Sequence, residues 1–382
     1  MWYSKQFLCE MVNDFYIYDE NILGDMGKIE HCYDHNSKIS KIFLDITNKC
    51  NIRCRHCFTD AKNNPNIKEL NTDDIKKIIN DLVKLNINRL ALGGGEPLVR
   101  PDIYELIHYG SERGLRIHIS SNGLLLTENN IKKLKKCGLN SIQISIDSSI
   151  AAQHDYLRNC PGLFDKCLET IKNIKKHRIN LLVSTTITKL NINELDDIAK
   201  MVKSSGVRLH RFIRFVPVGR GNDSKNMLYV EGEMLSKKVS HLRKKYAKYF
   251  FGNPKNYFGI PITTYEDKKY KNNPIGCEAG KLSVDILPNG NVVPCNYLGI
   301  DEQWICGNIV DNTLEHIINN SSVLKKFKHL SGKNIAKCFD CLSSKICGKG
   351  CRAVAYNLHG AIDALDPCCT KLMGEYENEI RG

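Results

Sequence analysis

The chain has 382 residues, 17 of them cysteines, and a formal net charge of +13. This length suits two or three domains, or one large α/β barrel with an appended unit. No run approaches the roughly 18 apolar residues of a membrane-spanning helix, and the N-terminus lacks the charged-then-apolar pattern of an export signal. We therefore expect a cytoplasmic protein without a membrane partner, whose cysteines serve as metal ligands rather than as disulfides.

A βα repeat dominates the first half of the chain. Residues 1–40 predict only a short β-rich extension, but from residue 41 to 218 a strand-then-helix alternation repeats six times, which predicts parallel strands joined by crossover helices. The predicted strands are Ile42 to Thr47, Arg89 to Leu92, Arg116 to Ser120, Ser141 to Ile146, Leu181 to Ile187 and Arg208 to Phe215. A complete eight-unit barrel typically takes about 250 residues. The sequence therefore predicts an α/β fold with a partial (β/α)6, TIM-like barrel.

Helix signals lie between these strands. The first helix follows a cap at Asn71 or Thr72 and carries an apolar stripe with the helical period. The second has Pro101 in its first turn, and the third runs from a cap at Thr127 to Gly138.

Residues 219–276 form a basic region between the barrel and a cysteine-rich C-terminal unit, residues 277–382. Between Leu235 and Lys271, lysines and arginines interleave with tyrosines and phenylalanines. Such a stretch can bind nucleic acid, although a solvated helix bridging two domains is the simpler interpretation. Lys, Asn and Ile are abundant throughout the chain, so the net charge is weak support for a polyanionic partner.

Three cysteines, Cys50, Cys54 and Cys57, follow the first predicted strand with the spacing C-x3-C-x2-C. Three thiolates on one short loop can hold three corners of a cubane iron-sulfur cluster and leave the fourth iron without a protein ligand. The alternative is a zinc site or a loop of free thiols, because short cysteine clusters also bind zinc.

Further polar motifs follow the next strands, where parallel α/β folds bind their ligands. The second strand leads into Gly93-Gly94-Gly95-Glu96-Pro97, the third into Ser121-Asn122-Gly123, and the fourth contains Ser145. Glycines allow backbone to approach a ligand closely, and Glu96 offers a carboxylate to a cationic group. By itself the glycine run would indicate only a turn.

Together these motifs resemble the radical S-adenosylmethionine (SAM) superfamily, whose cysteine loop carries an aromatic or imidazole residue before its last cysteine, here His56. The resemblance implies a 4Fe-4S cluster that chelates SAM, and reductive cleavage of SAM to a 5'-deoxyadenosyl radical. An electron donor such as flavodoxin or ferredoxin is implied as well. The implied SAM contacts are Phe58, Gly94, Gly95, Glu96, Ser121, Ser145 and Arg158. For Arg158, a surface salt bridge is the alternative.

The C-terminal third carries cysteines at C-x12-G-x4-C, then C-x2-C-x5-C-x3-C, then a final pair. This pattern resembles the SPASM domain, which holds two auxiliary iron-sulfur clusters in radical SAM enzymes that modify peptides and proteins. The implied ligands of the first auxiliary cluster are Cys277, Cys295 and Cys351, and those of the second are Cys338, Cys341, Cys347 and Cys369. Cys369 is favoured over Cys368 because the family often ends in Asp-Pro-x-Cys.

The resemblance implies a ribosomally made peptide as substrate, with or without a leader peptide. Sulfatase maturation is disfavoured, because the sulfatase-maturing members of the family carry an aspartate base at the position that Asn296 occupies here. A haem precursor or another small molecule is the second reading. A zinc-ribbon-like nucleic-acid binder is a remote alternative, since it leaves the glycine motif and the six βα units unexplained. Cys137 and Cys167 occupy apolar helical positions and are expected to be buried thiols.

Overall fold

The computed structural model describes residues 39–61, 68–207, 209–246, 277–330, 335, 338 and 350–369. Each of the six predicted strands is present, and consecutive strands pair in parallel. Their bounds are Lys41–Thr47 (β1), Arg89–Gly94 (β2), Arg116–Ser121 (β3), Ser141–Ser145 (β4), Asn180–Ile187 (β5) and Leu209–Arg214 (β6). The predicted partial barrel is confirmed. The predicted N-terminal extension lies outside the described residues, apart from its last two positions.

Helices cross from each strand to the next. They are Thr72–Lys84 (α1), Ile103–Ser111 (α2), Glu128–Lys136 (α3), Ala151–Arg158 (α4), Leu163–Lys176 (α5) and Leu195–Ser204 (α6). At the start of α1, the Asn71 side chain accepts a hydrogen bond from the backbone of Asp74, and the Asp74 carboxylate accepts one from the backbone of Asn71. This capping box satisfies two backbone donors at the helix start, and it identifies Asn71 as the cap of the two residues that the sequence offered. The short helix α4 was not predicted, because its buried face includes His154 and Arg158.

The C-terminal unit extends the barrel sheet. Strand β7 (Ser283–Ile286) pairs in parallel with the free edge of β1, and the antiparallel strands β8 (Asn291–Val293) and β9 (Gly307–Asn308) continue it. Within the described residues, the sheet has nine strands in the order β6-β5-β4-β3-β2-β1-β7-β8-β9. Strand β1 therefore has a paired strand on each side, and its residues Ile42, Leu44 and Ile46 are fully buried.

Six further α-helices lie in the described part of the chain. They are Arg220–Asp223 (α7), Lys225–Leu228 (α8), Gly232–Tyr246 (α9), Leu314–Asn320 (α10), Ser322–His329 (α11) and Arg352–His359 (α12). Helix α9 is the longest described helix of the basic region, and it differs from the solvated bridge that we expected. Leu235, Val239 and Leu242 are buried in the main core, and Lys245 binds Asp196 of α6 at 2.5 Å. The rest of the basic region, residues 247–276, lies outside the described residues. No helix in the described part of the chain is long and apolar enough to cross a membrane.

Candidate active site

The C-terminal ends of the barrel strands open into a cavity of about 480 Å³. The cysteine loop after β1 lines one part of it, and the first cysteines of the C-terminal unit line another. The lining cysteines are Cys50, Cys54, Cys57, Cys277, Cys295 and Cys351. Two thiol sets that lie more than 200 residues apart in the sequence therefore share one cavity.

The glycine loop after β2 is clamped onto the cysteine loop. The backbone N–H of Gly95 donates to the Thr47 carbonyl at 2.8 Å, and that of Glu96 donates to the Lys49 carbonyl at 2.9 Å. A Cβ on Gly95 would overlap the Lys49 carbonyl, and Gly94, with φ of +110°, would place one against Thr47. The glycines therefore permit close approach to the neighbouring cysteine loop, whereas the sequence had suggested approach to a ligand.

Glu96 is fully buried and ties two strand-end loops together. Its carboxylate accepts hydrogen bonds from the Ser121 hydroxyl at 2.9 Å, from the backbone of Asn122 at 2.8 Å and from that of Leu98 at 3.3 Å. Burial raises the pKa of Glu96 to about 7, although these hydrogen bonds oppose the shift. The predicted contacts of Glu96 and Ser121 with SAM stay predictions, because in this structure the two side chains bond to each other.

Arg158 is not a surface residue, so the alternative reading of an exposed salt bridge is wrong. Its Nε and Nη2 each lie 2.6 Å from the Asp147 carboxylate, and the two side chains are 10% and 0% exposed. His56 Nε2 lies 3.4 Å from the same carboxylate, while Arg158 Nη1 lies 3.9 Å from the sulfur of Cys54. The buried pair therefore connects α4 with the cysteine loop.

The charges of this group depend on burial and on Arg158. Burial alone would raise the pKa of Asp147, but Arg158, and then His56 and His154, bring it below its usual value. Burial lowers the pKa of His56 to about 4, so the imidazole is neutral at pH 7. The sequence placed Asp147 in the polar segment after the fourth strand but gave it no role, and its pairing with Arg158 is seen only in the structure.

The donor set of the loop suits an iron-sulfur cluster. Burial raises the pKa of Cys54 to about 12 and also raises that of Cys50, so both sulfurs need a bound cation to be thiolates at neutral pH. Within the described ranges, no three His, Cys, Asp or Glu side chains are grouped closely enough to hold a single metal ion. In a cubane cluster each thiolate ligates a different iron, so the sulfurs need not converge on one point.

The C-terminal thiols form a second group at the cavity. Burial raises the pKa of Cys295, and the nearby Asp285, Cys351 and Cys277 groups raise it further, which indicates that the three sulfurs lie close together. Cys338 is also among the described residues, but Cys341 and Cys347 are not. The structure thus brings together the predicted ligands of the first auxiliary cluster, while the assignment of the second stays a prediction.

Asp366 organises the end of the C-terminal unit. Its carboxylate receives Arg214 of β6 at 2.8 and 2.7 Å, and it also accepts the backbone N–H groups of Cys351 at 2.6 Å and Cys368 at 2.8 Å. The Cys368 sulfur is buried and accepts a hydrogen bond from Arg214 at 3.2 Å, whereas Cys369 is only half-buried. The preference for Cys369 as a ligand is untested by these contacts.

All the predicted SAM contacts except Glu96, which is buried behind the cavity wall, line the cavity. These are Phe58, Gly94, Gly95, Ser121, Ser145 and Arg158. Phe58 packs against Tyr297 of the C-terminal unit with ring centroids 4.7 Å apart, an aromatic contact that the sequence did not predict. Away from the cavity wall, Cys167 is the buried thiol that was expected, and its sulfur donates to the Asn122 carbonyl, whereas Cys137 is only half-buried.

A parallel βα barrel with a three-thiol loop after its first strand, joined to a second group of thiols, defines the radical SAM class of enzymes with an iron-sulfur extension. The model of the radical SAM superfamily matches residues 44–202, and that of SPASM, an iron-sulfur cluster-binding domain, matches residues 277–342. An AdoMet-dependent heme synthase of Methanosarcina barkeri is 31% identical over 86% of this chain and 95% of its own length. The chain belongs to the radical SAM superfamily. It is an enzyme with 4Fe-4S clusters and SAM as cofactors.

Other relatives have names or titles that point to substrates other than a heme precursor. The mycofactocin maturase MftC of Mycobacterium tuberculosis is 27% identical over 86% of this chain and 82% of its own length. The solved structure of Streptococcus suis SuiB bound to its precursor peptide SuiA has a TM-score of 0.69 at 16% identity, covering 87% of this chain and 76% of SuiB. At that identity the structural likeness shows the shared fold alone.

Proposed function

We propose that this enzyme modifies a ribosomally made peptide. The observation that carries the proposal is the single cavity lined by both thiol sets, because a peptide side chain held there would face SAM chemistry on one wall and an auxiliary cluster on the other. MftC, which is named as a maturase, and SuiB, which has been solved with a precursor peptide bound, support this substrate class. A 4Fe-4S cluster held by the cysteine loop after β1 would supply the electron for reductive cleavage of SAM, and the peptide would lie in the cavity as the source of the abstracted hydrogen atom.

In this proposal the protein holds and orients its ligands. Cys50, Cys54 and Cys57 hold the SAM-binding cluster, and Asp147 fixes the guanidinium of Arg158 so that its remaining donors face the cavity. The Glu96 carboxylate accepts three hydrogen bonds and is buried behind Gly95 and Ser121, which line the cavity. Its contact with the SAM ammonium would use its remaining lone pair and would require the carboxylate to become accessible from the cavity. Closing the barrel mouth around the ligands would exclude water from the reacting centre.

The proposed ligands of the auxiliary clusters are those that the sequence implied. Cys277, Cys295 and Cys351 would hold the first, whose fourth site would be open, taken by substrate or ligated by another group. Cys338, Cys341, Cys347 and Cys369 would hold the second. The electron donor is a flavodoxin or ferredoxin. A peptide leader, where the substrate has one, would bind outside the cavity.

Co-expression tests this proposal. The enzyme is produced with each short peptide encoded beside its gene, and the peptides are weighed by mass spectrometry. We expect a mass change that disappears when the three loop cysteines are replaced by alanine. Unmodified peptides, together with SAM cleavage by the same preparation, would contradict the proposal.

A tetrapyrrole substrate is the second candidate, and the 31% identity to an AdoMet-dependent heme synthase favours it. Anaerobic incubation of the reduced enzyme with SAM and iron coproporphyrin III, followed by chromatography and mass spectrometry, tests it. A modified tetrapyrrole with no modified peptide would establish the second candidate in place of the first.

A further inference from the structure

Five lysine and arginine side chains line the cavity, and four of them are already paired with carboxylates. The four pairs are Lys41 with Glu278 at 2.6 Å, Arg158 with Asp147 at 2.6 Å, Arg214 with Asp366 at 2.7 Å and Arg220 with Asp60 at 3.1 Å. The fifth, Arg211, makes no ion pair or hydrogen bond with any residue that the structure describes. The fold therefore does not use the charge of Arg211.

The strand geometry directs Arg211 into the barrel. Arg211 is the third residue of β6 and pairs in register with Ser184 of β5, which also lines the cavity. The next residue, Phe212, is 1% exposed and packs in the main core on the opposite face. Because side chains alternate along a strand, Arg211 projects to the cavity, and its surface is exposed there.

Among the described residues, no carboxylate lies close enough to Arg211 to pair with it. Burial lowers the pKa of Arg211, an effect that the neighbouring Tyr297 partly opposes. Burial, and then the charge of Arg211, lowers the pKa of His118 to about 3, so that ring is neutral at pH 7. The carboxyls that line the lumen are Asp45 on β1, Asp285 on β7 and Glu278, which precedes β7 and is paired with Lys41. Burial raises the pKa of Asp45 to about 7 and that of Asp285 to about 8. An anion entering the lumen is therefore attracted toward β6.

We propose that Arg211 binds a carboxylate group of the substrate. A guanidinium presents donors in a planar fork that matches a carboxylate, and a partly desolvated cation gains most from such a partner. This inference rests on the proposed function, since it places the substrate in the cavity that the thiols line. A side-chain or C-terminal carboxylate of a peptide carries this group, and so does a carboxylate of a tetrapyrrole. SAM also carries a carboxylate, so the test separates SAM from substrate.

Arginine labelling with phenylglyoxal provides that test in the anaerobic holoenzyme. The dicarbonyl reacts with free guanidinium groups, and peptide mapping by mass spectrometry gives the rate at Arg211. Labelling is repeated with SAM, with acetyl-glutamate amide and with acetyl-glutamine amide, which differ from each other only in the carboxylate. Arg113 is the internal control, because it lies on the outer surface with its guanidinium over the Tyr109 ring.

We expect Arg211 to label readily with SAM present or absent, and the glutamate compound to protect it. Half-protection by the glutamine compound should need at least about tenfold more, since a charge-assisted hydrogen bond changes affinity by about 10- to 150-fold. Arg113 should respond to neither compound. Protection by SAM alone would assign the carboxylate to SAM and overturn the inference, as would equal effects of the two compounds.

Failure of the proposed function gives a different result. If no peptide is modified in co-expression but the glutamate compound still protects Arg211, the carboxylate site stands and the substrate is another carboxylate, such as the tetrapyrrole. If a peptide is modified while Arg211 labels equally with both compounds, the function stands and this inference is wrong.

Discussion

Replacing Asp147 by asparagine tests the buried ion pair beside the cysteine loop. The substitution keeps the shape of the side chain and an oxygen that can accept from the Thr186 backbone, a bond of 2.9 Å in this structure. It removes the negative charge that faces Arg158 and leaves a buried guanidinium uncompensated. Breaking a buried pair in this way typically costs about 3 to 5 kcal/mol. We expect a loss of stability of that order.

Denaturant unfolding of the holoenzyme measures this loss. The matched control is Asp197→Asn, which removes the same charge from an exposed pair with Lys200, where the two side chains are 60% and 62% exposed. Surface pairs contribute about 0 to 1 kcal/mol, so the control should unfold almost as the wild type does. A double variant, Asp147→Asn with Arg158→Gln, should lose less than the sum of the single losses because the two side chains are in contact.

The contribution of Asp147 to the free energy of unfolding should decrease at low pH. The pKa of Asp147 is below its usual value in the folded protein, so its contribution is present above the unfolded value of about 3.9 and is lost as the pH falls through the folded value. The difference between wild type and Asp147→Asn should therefore be constant near neutrality and shrink below about pH 4. Equal unfolding of the two proteins at pH 7 would refute the reasoning.

Three further changes test the site. Gly95→Ala should push the glycine loop off the cysteine loop and lower the iron content by about one cluster, and an unchanged content would contradict the clamp. Glu96→Ala should weaken SAM binding by about 10- to 150-fold; because the pKa of Glu96 is raised to about 7, the wild-type dissociation constant should rise as the pH falls below that value. A dissociation constant for SAM that changes neither with this substitution nor with pH would show that Glu96 does not contact SAM. Alanine at all three loop cysteines should abolish SAM cleavage and leave the auxiliary clusters detectable by their absorbance, whereas surviving cleavage would mean that the SAM-binding cluster is elsewhere.

The barrel could be predicted from the sequence because its signals are local. Each strand is a short apolar run bounded by turn residues, so the six predicted strands agree with the structure within two residues at either end, although position 208 itself is not described. The rule that ligands gather at strand ends then placed the cysteine loop, the glycine loop and Ser121 at one cavity.

The parts that were missed depend on partners that are distant in the sequence. Strand β7 pairs with β1 across about 240 residues, and nothing in Ser283–Ile286 names its neighbour. The role of Gly95 depends on the position of the Lys49 carbonyl, and the ion pair of Arg158 depends on the turn that returns α4 to β4. No sequence motif marks Arg211 as a binding residue. Only the structure shows that the other cationic side chains lining the cavity are paired with carboxylates.

The shared sheet has a consequence for attempts to divide the enzyme. A truncation before β7 would expose the hydrogen-bonding groups on one side of β1 from Lys41 to Leu44, in a strand that has Ile42 and Leu44 fully buried in the intact chain. An open strand of that kind is a template for aggregation. The truncation would also remove Asp366, the carboxylate that is paired with Arg214 of β6. Loss of activity in a shortened protein would therefore report failed folding, and the auxiliary clusters are better studied by single cysteine substitutions in the full-length chain.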